Sequence, residues 1–158
     1  MQPTKSIASL AVAVLVLSGW GTSRAPQEGD ACTLLNSSQV SAALGATVEA
    51  GKPVVASNPQ LCGWAPSGGP QIGGKKLTVQ LLTAKSFDMG KTPVNNVVKA
   101  PLSGVGDDAI YIISPRGLGT SLNVKKGNSA FQVRVGGFTT EQEKEIEKSL
   151  ALEILKKL

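Results

Sequence analysis

The sequence predicts an α+β fold: one antiparallel sheet of about five to six strands flanked by helices, with one disulfide. Three observations carry this. Leu118 to Val135 reads as two strands joined by a two-residue turn at Gly127-Asn128. Counting outward from the turn, Val124 faces Phe131, Leu122 faces Val133 and Thr120 faces Val135. On the other side Lys125 meets Ala130, Asn123 meets Gln132 and Ser121 meets Arg134, so one face is apolar and the other polar. The second observation is a C-terminal amphipathic segment, with Ile146, Leu150, Ile154 and Leu158 repeating every four residues. The third is the cysteine count: two, Cys32 and Cys62.

The elements follow in order. Residues 1–25 have the form of an export signal: Lys5, then an apolar run from Ile7 to Leu17, too short to span a bilayer. Ser23-Arg24-Ala25 resembles a small-x-small cleavage site. Leu17-Ser18-Gly19-Trp20 reads either as a degenerate lipobox, with Trp where the lipidated Cys would stand, or as a coincidental Leu-Ser-Gly in a plain secretory signal. Trp has no thiol, so the expectation is release after Ala25 or retention through an uncleaved leader. Residues 26–30 form a flexible tether, and residues 31–158 one domain, long enough for a real core. In an oxidising compartment Cys32 and Cys62 are expected to pair. That bond closes a loop of about 30 residues, worth roughly 3–4 kcal/mol in the chain-entropy model.

Asn36 and Gln39 form a capping box before a short helix closed by Gly45, with Leu35 and Val40 as a hydrophobic staple. Thr47 to Val55 is ambiguous, because Gly51 and Pro53 interrupt it. Gln60 to Ala65 and Lys75 to Thr83 read as strands, the first holding Cys62 and Trp64 on one side. Ala84 to Ala100 is undetermined beyond a helical turn near Phe87-Met89. Ala109 to Ile113 is apolar on both faces and is expected at the centre of the sheet. Thr139 or Thr140 starts the last helix, Thr140 making a capping box with Glu143, and its Ile146–Leu150–Ile154 stripe, with Ala151 and Leu155 on the same broad side, should cover the hairpin.

Charge and motifs exclude more than they assign. The net charge of +5 has no Arg-rich run or aromatic interleaving behind it, which argues against nucleic acid. Gly69 to Lys75 has the spacing of a phosphate loop, but Lys76 stands at the magnesium-binding position and a strand follows. There is no histidine, so no triad and no imidazole ligand; no metal or cofactor is expected. The adjacent acids Asp107 and Asp108 point to opposite faces if extended. Two candidate sites remain. One is the stretch Gly104-Val105-Gly106-Asp107-Asp108, which reads either as a tight entry turn into the strand that follows or as a ligand- or partner-facing loop. The other is a basic surface of Arg116, Lys125, Lys126 and Arg134 that could receive an anion.

Cys32-Thr-Leu-Leu, Val40 to Gly45, Cys62-Gly-Trp64 and Gly104-Val-Gly-Asp-Asp-Ala109 stand in an order that resembles a large group of uncharacterised secreted bacterial proteins and lipoproteins, well represented in mycobacteria. The resemblance covers residues 31–158. It implies an α-β-α sandwich similar to the PsbP-like fold, and no activity. The function expected is a non-catalytic envelope or secreted binding module, monomeric, for a protein partner or an amphipathic or anionic small ligand. A structural subunit of an envelope complex and an enzyme without a recognisable motif are the alternatives. An uncleaved leader would keep the chain near a membrane. A pocket lined only by Val, Leu and Ile would favour a small ligand, an exposed apolar patch a protein partner, and convergent buried carboxylates an enzyme.

Overall fold

The computed structural model describes residues 29–68, 74–115 and 119–158. The degenerate lipobox and Arg116 lie outside them. A 3-10 turn, Ala31–Thr33, carries Cys32 and is capped by Asp30, whose Oδ1 accepts from the Cys32 N–H at 2.8 Å. Helix α1 (Ser37–Leu44) follows. Its capping box is the expected one: Gln39 N donates to Asn36 Oδ1 at 2.9 Å and Asn36 N to Gln39 Oε1 at 3.0 Å. Gly45 closes it in the left-handed conformation.

Strands β1 (Lys52–Val55), β2 (Asn58–Trp64) and β3 (Lys76–Thr83) come next, then helix α2 (Ala84–Gly90). Strands β4 (Val98–Pro101), β5 (Asp108–Ile113), β6 (Thr120–Lys126) and β7 (Ser129–Gly136) precede helix α3 (Thr140–Leu155). The sheet has seven antiparallel strands in the order β1-β2-β3-β7-β6-β5-β4. Seven exceeds five to six because both edge strands, β1 and β4, are four residues long, each with a proline and little burial. The central strand is β7; β5 stands next to the edge, covered on both faces.

The hairpin register holds. Val124 pairs Phe131, Asn123 pairs Gln132 and Leu122 pairs Val133. Gly127 has φ +57° and Asn128 does not have positive φ, so the turn is of the II′ kind, with Gly at its first central position. Leu122, Val124, Phe131 and Val133 are fully buried. They join Leu77 and Val79 of β3 and Leu150, Ala151 and Ile154 of α3 in the main core. Cys62 and Trp64 belong to it as well, and Cys62 bonds Cys32 with Cα atoms 5.1 Å apart. Lys75 Nζ donates to the Leu44 carbonyl at 2.9 Å, tying the end of α1 to the start of β3.

Two expectations about the faces are corrected. The polar/apolar alternation predicts water on the hairpin's outer face. Instead α2 covers it: Phe87 is fully buried against Ile110, Ala130 and Leu82, a second small core. Asn123 is 4% and Ser121 7% exposed, and Gln132 Nε2 donates to Asn123 Oδ1 at 2.8 Å. The last helix packs on the hairpin through most of its expected side, with Leu150, Ala151 and Ile154 buried and Ile146 and Leu155 partly buried against the core, but Leu158 is exposed and Glu143 and Glu147 are buried with the apolar residues. Its cap is Thr139 with Gln142.

Candidate functional site

The Gly104–Asp108 loop crosses the hairpin turn. Val105 is 1% exposed and sits in the main core. Gly106 has φ +64°, and a Cβ there would stand 2.5 Å from the Lys125 carbonyl oxygen. Only a residue without a side chain lets the backbone lie this close. The contact permits a bond from Asp107 N to Lys125 O at 2.9 Å. Asp107 Oδ2 then accepts from Gly127 N at 2.7 Å, at the hairpin turn itself. That backbone donor, and secondarily Lys126, holds the Asp107 carboxyl below its usual range. Asp108 accepts from Lys91 Nζ, which joins β5 to the end of α2. The expected ligand loop therefore turns one side chain into the core and spends both carboxylates on neighbouring parts of the same chain.

The basic surface is dispersed in the same way. Lys125 Nζ donates to both Asp88 oxygens of α2 at 3.1 Å and lies 5.9 Å from the Phe87 ring centroid. Lys126 Nζ donates to Asp107 Oδ1 at 3.2 Å. The Arg134 guanidinium reaches toward Gly119, where a Cβ would meet its Nη2 at 3.9 Å. Lys125, Lys126 and Arg134 are thus not gathered around one open anion site. As exposed pairs, the two lysine contacts contribute on the order of 0–1 kcal/mol each.

The feature that hydrophobic patterning misses is a carboxylate pair under the sheet. The β6–β7 ladder stops at Leu122↔Val133, although β6 begins at Thr120 and β7 ends at Gly136. Counting back from Lys126↔Ser129, the alternation of an antiparallel ladder would have Thr120 and Val135 exchange N–H···O bonds. They donate to α3 instead. Val135 N reaches Glu147 Oε1 at 3.1 Å, Thr120 N reaches Glu143 Oε2 at 3.1 Å, and Thr120 Oγ1 reaches Glu147 Oε2 at 3.1 Å. Glu147 is 0% and Glu143 4% exposed. Burial pushes the Glu147 carboxyl up to about 8; the Val135 and Thr120 donors pull it partly back, Glu143 adds to the rise and Arg134 opposes it. Tyr111 closes the same region from β5, its hydroxyl donating to the Lys144 carbonyl at 2.8 Å.

Among the described residues no group of three His, Cys, Asp or Glu side chains could hold a metal ion. An open depression of about 400 Å³ runs along Phe138, Glu141, Gln142, Glu145 and Ile146. A second, of about 320 Å³, has Glu49, Lys52 and Lys76 around Trp64 and Leu77. Neither is lined by aliphatic side chains alone. The Trp64 indole N–H is buried with no partner among the described residues, its ring packed against Gly51. Large apolar side chains are exposed in three stretches of the described chain. Val54 and Val55 project from β1, Met89, Val94 and Val98 follow one another from α2 into β4 at 59%, 59% and 61% exposure, and Leu152 and Leu158 lie at the end of α3 and just beyond it. No protein-family model matches the chain, and neither a curated protein nor a solved structure is similar to it.

Proposed function

We propose that the chain is an exported, non-catalytic module that binds a protein partner through the apolar segment Met89–Val98 beside the β4 edge. The observation that carries this is the exposure of Met89, Val94 and Val98 within ten residues of chain that lead into β4, a strand with a neighbour on one side only among the described residues. Exposed apolar side chains on a segment that ends in a strand edge suit a partner's strand or helix better than they suit water. The Cys32–Cys62 bond fits an oxidising compartment, and the signal-like first 25 residues fit export to it. The resemblance to secreted bacterial proteins and lipoproteins of the PsbP-like kind points the same way.

The carboxylate pair does not favour an enzyme. Three donors of the chain's own sheet take three of its four oxygens, both of those of Glu147 among them, and neither glutamate lines either depression. A reacting atom would have to displace a backbone bond to reach them. Native mass spectrometry of protein purified from its own envelope tests the reading. Retention of a stoichiometric protein partner, lost in Val98→Asp with folding intact, is expected. A retained small molecule, or a partner that stays bound to the Val98→Asp chain, overturns it.

A further inference from the structure

The open end of the β6–β7 ladder is built as a joint between sheet and helix. Thr120 N and Val135 N, which would bond across the ladder, are both held by carboxylates four residues apart on α3. We infer that Glu143 and Glu147 form a proton-controlled clasp: with a proton on Glu147 the fork between Thr120 and Val135 is held shut, and without it the fork opens locally, ahead of the rest of the sheet.

The geometry supplies the two states. A protonated Glu147 keeps both contacts, because its carbonyl oxygen accepts from Val135 N while its O–H donates to Thr120 Oγ1, a hydroxyl that can reverse direction. An ionised Glu147 has acceptor capacity for about four donors. Among the described residues Val135 N and Thr120 Oγ1 donate to it. Beside it on the same helix face is Glu143, a like-charged neighbour when ionised. From β7 the Arg134 guanidinium offsets part of that charge, and from β5 the Tyr111 phenol, whose own ionisation Glu147 disfavours, faces it without supplying a donor to it. Water supplies the further donors that an ionised carboxylate takes, and it reaches Glu147 when Thr120 and Val135 part. The ordinary glutamate value is 4.5, and in the closed fork it is about 8. Opening therefore releases a proton between those values, and the open fraction rises about tenfold per pH unit in that window before levelling off. The chain has no histidine, so no imidazole adds to the slope.

Amide hydrogen exchange by NMR on the full domain, corrected for intrinsic rates, reads the clasp. Thr120 and Val135 should exchange through an opening with little urea dependence, less protected than Val79 in the sheet centre. Their protection should fall about tenfold per unit between pH 5.5 and 7.5. Glu147→Gln places an acceptor and a donor where the protonated acid has them, and should abolish the slope while keeping the protection. Flat protection in the unaltered chain overturns the inference, as does an equal slope in the variant, or exchange that matches Val79 in both protection and urea dependence. Should the variant fail to fold, the titration of the Glu147 carboxyl carbon in the unaltered chain decides the matter. A midpoint below about 6.5, toward the ordinary 4.5, refutes the clasp, and a higher one supports it.

Discussion

Glu147→Gln should change how the stability of the whole domain responds to pH. In the folded chain the carboxyl is raised from 4.5 to about 8, so the native state holds a proton that the unfolded chain has released. The contribution is fully present below pH 4.5, where both states are protonated, and is lost as pH rises through 8. At about 1.4 kcal/mol per unit the shift corresponds to roughly 5 kcal/mol, comparable to the whole stability of many small domains. The other resolved carboxyl shifts run the opposite way. Glu49, Asp107 and Glu153 are held below their usual range by lysines or, for Asp107, first by the Gly127 N–H. They favour the fold at higher pH and lose their effect on acidification. Stability should therefore peak near pH 5 and decline toward pH 8. Urea denaturation of both chains from pH 4 to 9 checks this. The unaltered domain should lose up to about 1.4 kcal/mol per unit between pH 5 and 8 and level off above it. The Gln chain should stay nearly flat and be the more stable of the two at pH 9. Parallel curves would show that Glu147 is ionised in the native state and refute the reasoning.

Three further outcomes follow from the packing. Gly106→Ala should cost about 3 kcal/mol or more, since it adds left-handed strain and breaks the approach to Lys125 O, whereas Gly104→Ala, at φ +80° with open space around it, should cost about 1 kcal/mol; equal losses in denaturant titration would remove the structural role of the loop. Phe87→Ala should cost about 3–5 kcal/mol and Met89→Ala less than about 0.5 kcal/mol, because the first is fully buried and the second exposed; similar melting temperatures would mean that α2 does not seal the outer face. Replacing both Cys32 and Cys62 with Ala should lower stability by roughly 3–4 kcal/mol for a sequence separation of 30, and reductant should bring the unaltered chain to the same midpoint.

What was legible in the sequence depended on period. The hairpin register follows from a Gly-Asn turn between two alternating runs, and β6 and β7 pair as the count requires. The α1 capping box is equally local. The α3 cap falls one residue earlier than its Thr-x-x-Glu pattern suggests, because Thr139-x-x-Gln142 satisfies the same rule and Thr139 is the residue left extended. Strands β1 and β4 carry no alternation of burial, since edges are exposed on both faces. Helix α2 has seven residues, under two turns, too few for a 3.6-residue period to show. Phe87 alone could have pointed to it, paired with the small Ala130 opposite Lys125.

The candidate site was less legible for a physical reason that Glu143 and Glu147 make plain. Patterning assigns a glutamate to the solvent face, and the acids of α3 read as partners of the helix dipole. Their burial is decided by two orphaned N–H groups at the far end of a sheet, a demand invisible in the helix itself. The loop and the basic face show the converse. Asp107, Asp108, Lys125 and Lys126 attract notice as exposed charges near turns, yet each is joined to another part of the fold: the hairpin turn, the end of α2, Asp88 and Asp107. These four charged residues mark where separate elements are fastened together. Apolar residues left exposed, such as Met89, Val94 and Val98, have no such use within the fold. Under the function proposed here, they are where a partner has surface to gain.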